Sequence, residues 1–374
     1  MSAFFGTTGM ILVFLPRWLE AERGLTGVQI GAVLSLAQFA RIFTGPAIAY
    51  WADGAKDRSW PLKLISLITL AAYGAFLFLA EGFWPLLVAG FIALSLSQSI
   101  TPLVEAATLR ATAHGRISYG VARGIGSIAF IIANVAGGAL VARFGLGAVV
   151  VWIMSGLALT AATGWGGLLK DPPAAAGRGA RAGAMGALLG NRRYLILIVA
   201  CGLIQAGHGF YYGFSTLVWR GQGVAPETVG LLWACGVGVE VAFLWSLSAI
   251  ERRVSPEALI LAGAAAGVVR WTYLGFAPLG FVLWPLQALH ALSFAAAHVG
   301  AMRLLYREAP ENSAAMAQTL YAALSGGLLM GAATLISGHL YDLAGAAGYW
   351  AMAVMAAAGG GFALLLSASP AIRR

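Results

Sequence analysis

The chain has 374 residues, of which 60% are hydrophobic and only 10% charged, and its mean hydropathy is +0.83. Soluble domains carry roughly 25% charged residues, so this composition excludes a soluble globule, and it excludes a disordered chain for the same reason. The net charge of +9 is not arranged as a basic stripe interleaved with aromatic residues, which argues against nucleic acid as a partner. We therefore expect a lipid bilayer to surround most of the chain.

Apolar windows follow one another along the whole sequence. A spanning helix needs about 20 residues, so twelve would use roughly 240 and leave only loops and tails. Twelve such windows lie near residues 3–18, 28–52, 63–80, 85–109, 118–141, 147–168, 194–217, 229–250, 258–277, 280–304, 315–340 and 348–368. The first lacks a basic leader and a small-residue cleavage site, which favours a membrane helix over a cleaved signal peptide. The predicted fold class is an all-α integral membrane protein with twelve transmembrane helices.

The loops differ in their content of Lys and Arg. If the loop after the second window is inside, the outside loops hold four cations and the helices hold three. The outside cations are Arg17, Arg23, Arg143 and Arg220, and the helical ones are Arg41, Arg123 and Arg270. The other sixteen of the 23 then lie inside. Because short cytoplasmic loops are enriched in cations, both termini are predicted to be cytoplasmic, in a cell inner membrane.

Two halves of the chain resemble each other. Gly24 to Arg41 lies 199 residues before the similar segment Gly223 to Glu240, and Gly138 to Gly145 lies 200 residues before Gly338 to Gly345. A repeated offset indicates duplication. We predict six-helix bundles over 1–169 and 194–374, joined by a cytoplasmic linker over 170–193. Parallel repeats around a central cavity are a transporter architecture. Arg41 in the first repeat and Glu240 in the second occupy equivalent positions.

Ionisable side chains in the interior of the apolar helices, away from their ends, are few. They are Arg41, Glu105, Arg123, His208, Glu240, Arg270, His290 and His298. A lone charge at the bilayer centre costs at least about 2.5–3.5 kcal/mol on insertion scales, so these groups imply either pairing or a wet cavity. Ion pairs that clamp helices are the structural alternative. A buried carboxyl that is neutral in one state and charged in another suits proton coupling, which singles out the two acids.

A polar stripe runs along the helix around His290. His290, Ser293 and Phe294 are three and four residues apart, His298 follows, and such spacings share one helix face. Aromatic residues with polar tips, among them Tyr211 and Tyr212 beside His208, suit the apolar face of a sugar, a nucleobase or a phenyl ring, although packing is the alternative. Asp53 and Arg58 in the first inside loop are candidates for capping helix ends and locking one closed form. Together with Arg41, we assign them gating or structural roles.

Several enzyme and pump signatures are missing from the sequence. No G-x-x-x-x-G-K-[ST] run supports an ATP-driven pump, and no H-E-x-x-H or paired Cys/His cluster supports a membrane metalloenzyme. We expect no catalytic residues, no metal and no cofactor. The proton gradient is the expected energy source.

At these residues the chain resembles the major facilitator superfamily over essentially its whole length. Within it, the sequence looks closest to the lactose permease, nucleoside permease and phenylpropionate permease group. The most specific match is PLVEAATLRATAHGRISYGVARGIGSIAF, Pro102 to Phe130, in which an acid precedes an arginine by eighteen residues. The loop ADGAKDR is a degraded form of the family's loop between helices two and three and keeps Asp53.

The resemblance implies roles for individual residues. It places substrate binding on Glu105 and Arg123, with Phe130 where an aromatic residue stacks on sugar. In the second half, Arg270 and His290 keep the family's arginine–histidine spacing of twenty, and we expect them to bind the polar end of the substrate. Glu240 matches an acid that binds sugar and relays the proton, and we expect it to carry the proton and to respond to Arg270.

Two departures weaken the sugar assignment. Ser293 stands where lactose permease has an acid one turn after the histidine, and no acid occurs between His208 and Tyr212, where helix seven should carry one. LHALSFAAAH looks more like the phenylpropionate permease branch. Proton coupling would then rest on Glu240 or Glu105, with His290.

These features together predict a proton-coupled symporter that works by alternating access. We expect its partners to be a small organic substrate, favoured as an aromatic carboxylate, together with protons and the lipid bilayer, and we expect a monomer. Sugar or nucleoside symport and proton-driven export are the alternatives. A receptor without transport, or a membrane enzyme, is a further one.

Overall fold

The computed structural model describes residues 1–113, 115, 117–168, 181–309 and 314–368, and within these ranges the chain is helical, with no strand. The α-helices are α1 (Ser2–Ala21), α2 (Gly27–Gly54), α3 (Trp60–Gly74), α4 (Phe83–Ala113), α5 (Tyr119–Phe144), α6 (Gly147–Gly167), α7 (Arg181–Gly190), α8 (Arg192–Ala206), α9 (Gly209–Gly221), α10 (Pro226–Trp245), α11 (Leu247–Glu251), α12 (Pro256–Gly275), α13 (Leu283–Ala288), α14 (Ala297–Glu308), α15 (Ala314–Tyr321), α16 (Met330–Ala344) and α17 (Tyr349–Ala368).

Several α-helices combine into single membrane spans. Among the described residues, eleven helical stretches are long and apolar enough to cross a membrane. The last stretch, Met316–Ser367, holds two spans, because a 3-10 turn at Gly345–Gly348 divides it. The predicted all-α membrane fold with twelve transmembrane helices is therefore confirmed. The seventh predicted window is one span made of two helices, α8 and α9, which the sequence pattern did not separate.

The chain groups into two compact units. The first unit falls within residues 1–176 and also takes 213–234, whereas the second covers 177–212 and 235–374. Of the predicted cytoplasmic linker, residues 170–180 lie outside the described residues. So do five of the cations assigned to the inside loops, which are Arg116, Lys170, Arg178, Arg373 and Arg374. The predicted bundle boundaries thus stay a prediction.

Helix starts are fixed by local side chains. Thr26 forms a capping box with Gln29 at the start of α2, since each side chain accepts the other residue's backbone N–H. Asn191 accepts two backbone N–H groups at the start of α8, and Ser255 caps α12 just before Pro256. Such caps satisfy donors that a helix terminus leaves without a partner.

Ion pairs tie helix ends together in the second unit. Arg193 Nε at the start of α8 lies 2.9 Å from Glu308 Oε1 at the end of α14. Arg193 Nη2 lies 3.7 Å from Glu257 Oε1 on the first turn of α12. Arg307 forms a further ion pair with Glu257. Because Glu257 also sits at a helix N-terminus, its charge complements the helix dipole. This network holds three helices of the second unit at one membrane face.

Close packing in the second unit depends on Gly263 of α12. A Cβ on Gly263 would lie 2.7 Å from Ala297 Cβ and 3.0 Å from the Leu292 carbonyl oxygen. Small residues at such crossings let helix backbones approach closely in lipid. The approach brings α12 against the turn at 291–296, which carries part of the site described below.

We predict that Gly263→Leu destabilises the protein by about 1–3 kcal/mol, because an added side chain must displace a neighbouring backbone. The melting temperature of the detergent-purified variant should fall below that of the wild type. Gly361→Leu is the matched control, since a Cβ at Gly361 meets open space. Equal melting temperatures for the two variants would contradict this account of the crossing.

Candidate functional site

Two of the breaks in regular helix in the second unit lie close together. The seventh span is interrupted at Gly207 and His208, between α8 and α9. The tenth span changes to a π-helix at Ala291–Ala296, directly after His290. Wide π turns and discontinuous membrane helices are frequent at functional sites, because they free backbone groups and redirect side chains. Here they bring His208 and Ser293 together, with 3.3 Å between His208 Nε2 and Ser293 Oγ.

Arg270 on α12 is the central charge of this unit. Its side chain is completely buried, and its guanidinium carbon lies 4.4 Å from the Tyr211 ring centroid and 4.5 Å from that of Trp271. One terminal nitrogen, Nη1, lies 3.0 Å from His290 Nδ1, and the other, Nη2, donates to Gln287 Oε1 over 3.0 Å. A buried guanidinium needs such partners, because it cannot become neutral in a protein.

The contact with Arg270 fixes the hydrogen positions of His290. Because arginine only donates, His290 Nδ1 must accept, and the hydrogen of a neutral imidazole is then on Nε2. That nitrogen lies 3.3 Å from Glu240 Oε2, so it donates to the carboxylate. His290 thus separates a cation from an anion and touches both. The sequence predicted that Glu240 responds to Arg270, and in the structure the His290 imidazole lies between the two side chains.

A second chain of hydrogen bonds leads from Arg270 to His208. Arg270 Nη1 donates to Ser293 Oγ over 3.4 Å, and the serine hydroxyl can in turn donate to His208 Nε2. His208 Nδ1 lies 3.1 Å from the carbonyl oxygen of Gln205, so it carries the hydrogen. When Ser293 donates to His208 in this way, both imidazoles are neutral. The rings of His208 and His290 lie 5.5 Å apart, and that of Phe294 stacks on His290 at 5.2 Å.

Buried polar groups of this site keep unused hydrogen-bonding capacity. Within the described part of the chain, Arg270 Nε, Gln287 Nε2 and Trp271 Nε1 are buried donors without a partner. Native proteins leave few such groups, and each needs an explanation such as a water or a ligand. Three unused donors beside one buried cation favour an acceptor as the missing partner.

The first unit brings Glu105 and Arg123 together. Arg123 Nε lies 3.4 Å from Glu105 Oε1, and the side chains are 41% and 23% exposed, respectively. The Tyr119 hydroxyl donates to Glu105 Oε2 over 2.8 Å, and Arg123 also donates to Ser127. The guanidinium carbon lies 4.7 Å from the ring centroid of Phe5 on α1. This pair is open enough for a solute to reach, unlike Arg270.

The remaining predicted residues lie at separate places. Phe130 is half-buried on α5, two turns beyond Arg123, and the Tyr212 ring lies 5.6 Å from that of His208. Arg41 is exposed on α2, and Arg58 is half-buried in the turn that follows this helix. The side chain of Asp53 lies outside the described residues.

In the turn after α2, another acid forms a local hydrogen bond with the backbone, and the capping roles of Asp53 and Arg58 stay a prediction. Asp57 Oδ1 accepts the backbone N–H of Ser59 over 2.9 Å, just before α3 begins. Asp57 belongs to the same short loop, ADGAKDR, and composition alone did not distinguish the two acids.

Sequence reasoning missed Gln287, which is fully buried and bridges Arg270 and Tyr211. The Tyr211 hydroxyl donates to Gln287 Oε1 over 2.8 Å, so one oxygen orients both a cation and a phenol. The sequence contains an indication of this role, because Gln287 lies three residues before His290 and the two side chains are therefore close on a helix. Tyr119 was missed as well, one turn before Arg123 on α5.

We predict that Gln287→Leu destabilises the protein by about 1–3 kcal/mol, because Tyr211 and Arg270 lose a buried acceptor. Tyr211→Phe should cost about 1 kcal/mol, the value of one neutral hydrogen bond. Unfolding of both single variants and the double variant in detergent gives the coupling between the two side chains. Losses that add within about 0.5 kcal/mol would show that the two side chains do not interact.

Comparison with known proteins agrees with this architecture. The model of the MFS_1 like family matches residues 3–352. A probable 3-phenylpropionic acid transporter of Escherichia coli strain K12 is 31% identical over 359 residues, which cover 94% of this chain and 92% of that protein. A maltose permease of Geobacillus stearothermophilus is 29% identical over 344 residues, which cover 90% and 85%, respectively.

Solved structures share the fold. The crystal structure of nucleoside transporter NupG superposes with a TM-score of 0.78 at 16% identity, covering 98% of this chain and 96% of that one. At this identity the similarity shows the fold alone. The family match and the similarity to the phenylpropionic acid transporter agree with the resemblance found in the sequence, and these relatives are transporters rather than enzymes. The chain is a multi-pass membrane transporter and belongs to the MFS_1-like family of the major facilitator superfamily.

Proposed function

We propose that the protein is a proton-coupled symporter for a small aromatic carboxylate and that it works by alternating access. Glu240 is the proton carrier, and Arg270 and His290 respond to its charge. The observation that carries the proposal is the unbroken contact from Arg270 through His290 to Glu240, with 3.0 Å and 3.3 Å between the joined atoms. It links a cation that cannot deprotonate to an acid that can.

Charge balance couples the proton to the substrate. With Glu240 ionised, the anion offsets the charge of Arg270 through the polarised imidazole. When a proton binds the carboxylate, the positive charge of Arg270 is no longer balanced in a medium of low dielectric constant. The negative charge of a substrate carboxylate bound elsewhere in the carrier then restores the net charge of the protein, so the proton and the anion bind best together. Release of one weakens the other, as linkage between two sites requires.

Three properties support an aromatic carboxylate. The helices contain three arginines away from the loops, Arg41, Arg123 and Arg270, against two acids. Aromatic rings, among them Tyr211 and Tyr212, lie beside the charges of the second unit. The relative with 31% identity is named a probable 3-phenylpropionic acid transporter. In the first unit, Glu105 and Arg123 offer a polar contact and Phe130 an apolar one.

We place the protein in the cell inner membrane with both termini in the cytoplasm, as the loop cations predict. A monomer is sufficient for this mechanism, since each residue invoked belongs to one chain.

A sugar or nucleoside symporter is the second candidate. The maltose permease at 29% identity favours it, and so does the exposed pair of Glu105 and Arg123, which can bind hydroxyl groups. Export driven by proton antiport uses the same acid and differs in direction. Accumulation of substrate in intact cells supports symport, whereas extrusion supports antiport.

We expect phenylpropionate-type acids to raise the melting temperature of the detergent-purified protein, because a ligand that binds only the folded state stabilises it by mass action. Disaccharides and nucleosides are assayed beside them at two pH values. A larger shift at the lower pH supports linked proton binding. A shift with sugars or nucleosides alone would contradict the carboxylate assignment.

We predict that Glu240→Gln abolishes uphill uptake in proteoliposomes and preserves downhill exchange, because the neutral amide cannot take up and release a proton. The matched control is Glu227→Gln, which makes the same change on the first turn of the same helix. It should retain uphill uptake. Full uphill uptake by Glu240→Gln would overturn the assignment of the proton to this residue and direct attention to Glu105.

A further inference from the structure

Arg41 lies at the middle of the longest helix that precedes α4. It is the fifteenth of the 28 residues of α2, which spans the apolar stretch Gly27–Ala52. Arg123, by comparison, is the fifth residue of α5 and lies near a helix end. A cation at mid-helix is farthest from both membrane surfaces, and the free-energy cost of a charge is highest at that depth. A long side chain near a helix end can extend to the water at the membrane surface. The side chain of Arg41, at the middle of its helix, is farther from that water.

The helix face of Arg41 is directed toward protein. Residues 11, 7 and 4 positions away from it on an α-helix share its face. On α2 these include Ile30 and Ala37, which are 0% and 1% exposed, whereas a Cβ at Gly45, one turn after Arg41, would meet open space. Ala52 belongs to the core cluster of the first unit, and Ile48 packs against that cluster. Arg41 nevertheless has an exposed side chain. It thus lies where the buried part of this helix face ends and an accessible space begins.

Arg41 has an uncompensated charge. The described part of the chain provides its guanidinium with no ion pair and no hydrogen bond. Glu105, the acid of the first unit that lies well inside a helix, is paired with Arg123 and accepts from Tyr119. The interior of this unit therefore has one excess positive charge. While water reaches Arg41 the charge is solvated, but any state that excludes water leaves it without a partner.

We infer that Arg41 is the anchor for the carboxylate of the transported anion, rather than a gating residue. This inference rests on the proposed function and names the ligand group for one residue of the site. The planar guanidinium matches a carboxylate with two parallel hydrogen bonds. An anion on Arg41 makes the first unit neutral and removes the cost of excluding water. The phenyl ring of the substrate then binds through apolar contacts.

The inference has a consequence for coupling. An empty carrier that closes around Arg41 buries a lone cation, whereas a loaded carrier buries a neutral pair. The energetic difference disfavours closure without substrate and thereby limits proton leak. Glu240, at the equivalent position of the second repeat, has His290 beside it and needs no such partner.

The test compares a carboxylate with its neutral isostere. Dissociation constants for 3-phenylpropionate and 3-phenylpropanamide are measured by tryptophan fluorescence on the purified wild type, Arg41→Gln and Arg41→Lys. We expect Arg41→Gln to weaken carboxylate binding by roughly tenfold to a hundredfold, the value of hydrogen bonds to a charged group, and to leave amide binding nearly unchanged. Arg41→Lys should recover part of the loss, because it keeps the charge and loses the planar fork.

A matched control variant and the melting temperatures distinguish a lost contact with the carboxylate from misfolding. Arg143→Gln removes a cation in the last turn of α5 and should bind both ligands like the wild type. Unchanged melting temperatures without ligand exclude misfolding, and partial recovery in Arg41→Lys does so independently. Equal losses for carboxylate and amide, or a selective loss in Arg123→Gln with none in Arg41→Gln, overturn the assignment of Arg41. Wild-type protein that binds no carboxylate overturns the proposed function as well.

Discussion

The second unit depends on one buried charge, the guanidinium of Arg270. It is enclosed by protein and cannot lose its proton, so its neighbours must supply acceptors and a balancing charge. Gln287 and Ser293 supply oxygen acceptors, His290 supplies a nitrogen, and two aromatic faces cover the rest. The balancing charge is on Glu240, reached through the imidazole. Each of these side chains gives the buried guanidinium a hydrogen-bond acceptor, an aromatic face or a balancing negative charge.

The two departures from the lactose permease pattern become intelligible around this charge. Ser293 and His208 stand in regions where acids are expected, and they form a neutral chain that ends on a backbone carbonyl. More acids would have overcompensated a single cation. With neutral groups instead, one carboxylate, Glu240, remains to balance Arg270, which supports the proton role that we propose for it.

Positive charge is treated differently in the two units. Arg270 is surrounded by partners, whereas Arg123 is 41% exposed and Arg41 is exposed at the middle of its helix. A permanent cation in lipid must be paired, hydrated or neutralised by a ligand. The second unit uses pairing. The first unit keeps one cation, Arg41, exposed, and this difference supports the anionic substrate that we propose.

The sequence by itself determined the twelve membrane helices, the family and the rare charged positions, because composition and helical periodicity depend only on residues close together in the chain. It also identified Glu105, Arg123, Glu240, Arg270 and His290 as a set. What the tertiary structure decided was their partners: the imidazole between Glu240 and Arg270, the break at His208, and the bridge by Gln287. Tyr211 and Gln287 are 76 residues apart, and His208 and Ser293 are 85 apart. Whether such side chains meet depends on helix packing and on departures from 3.6-residue geometry, which a periodic pattern does not contain.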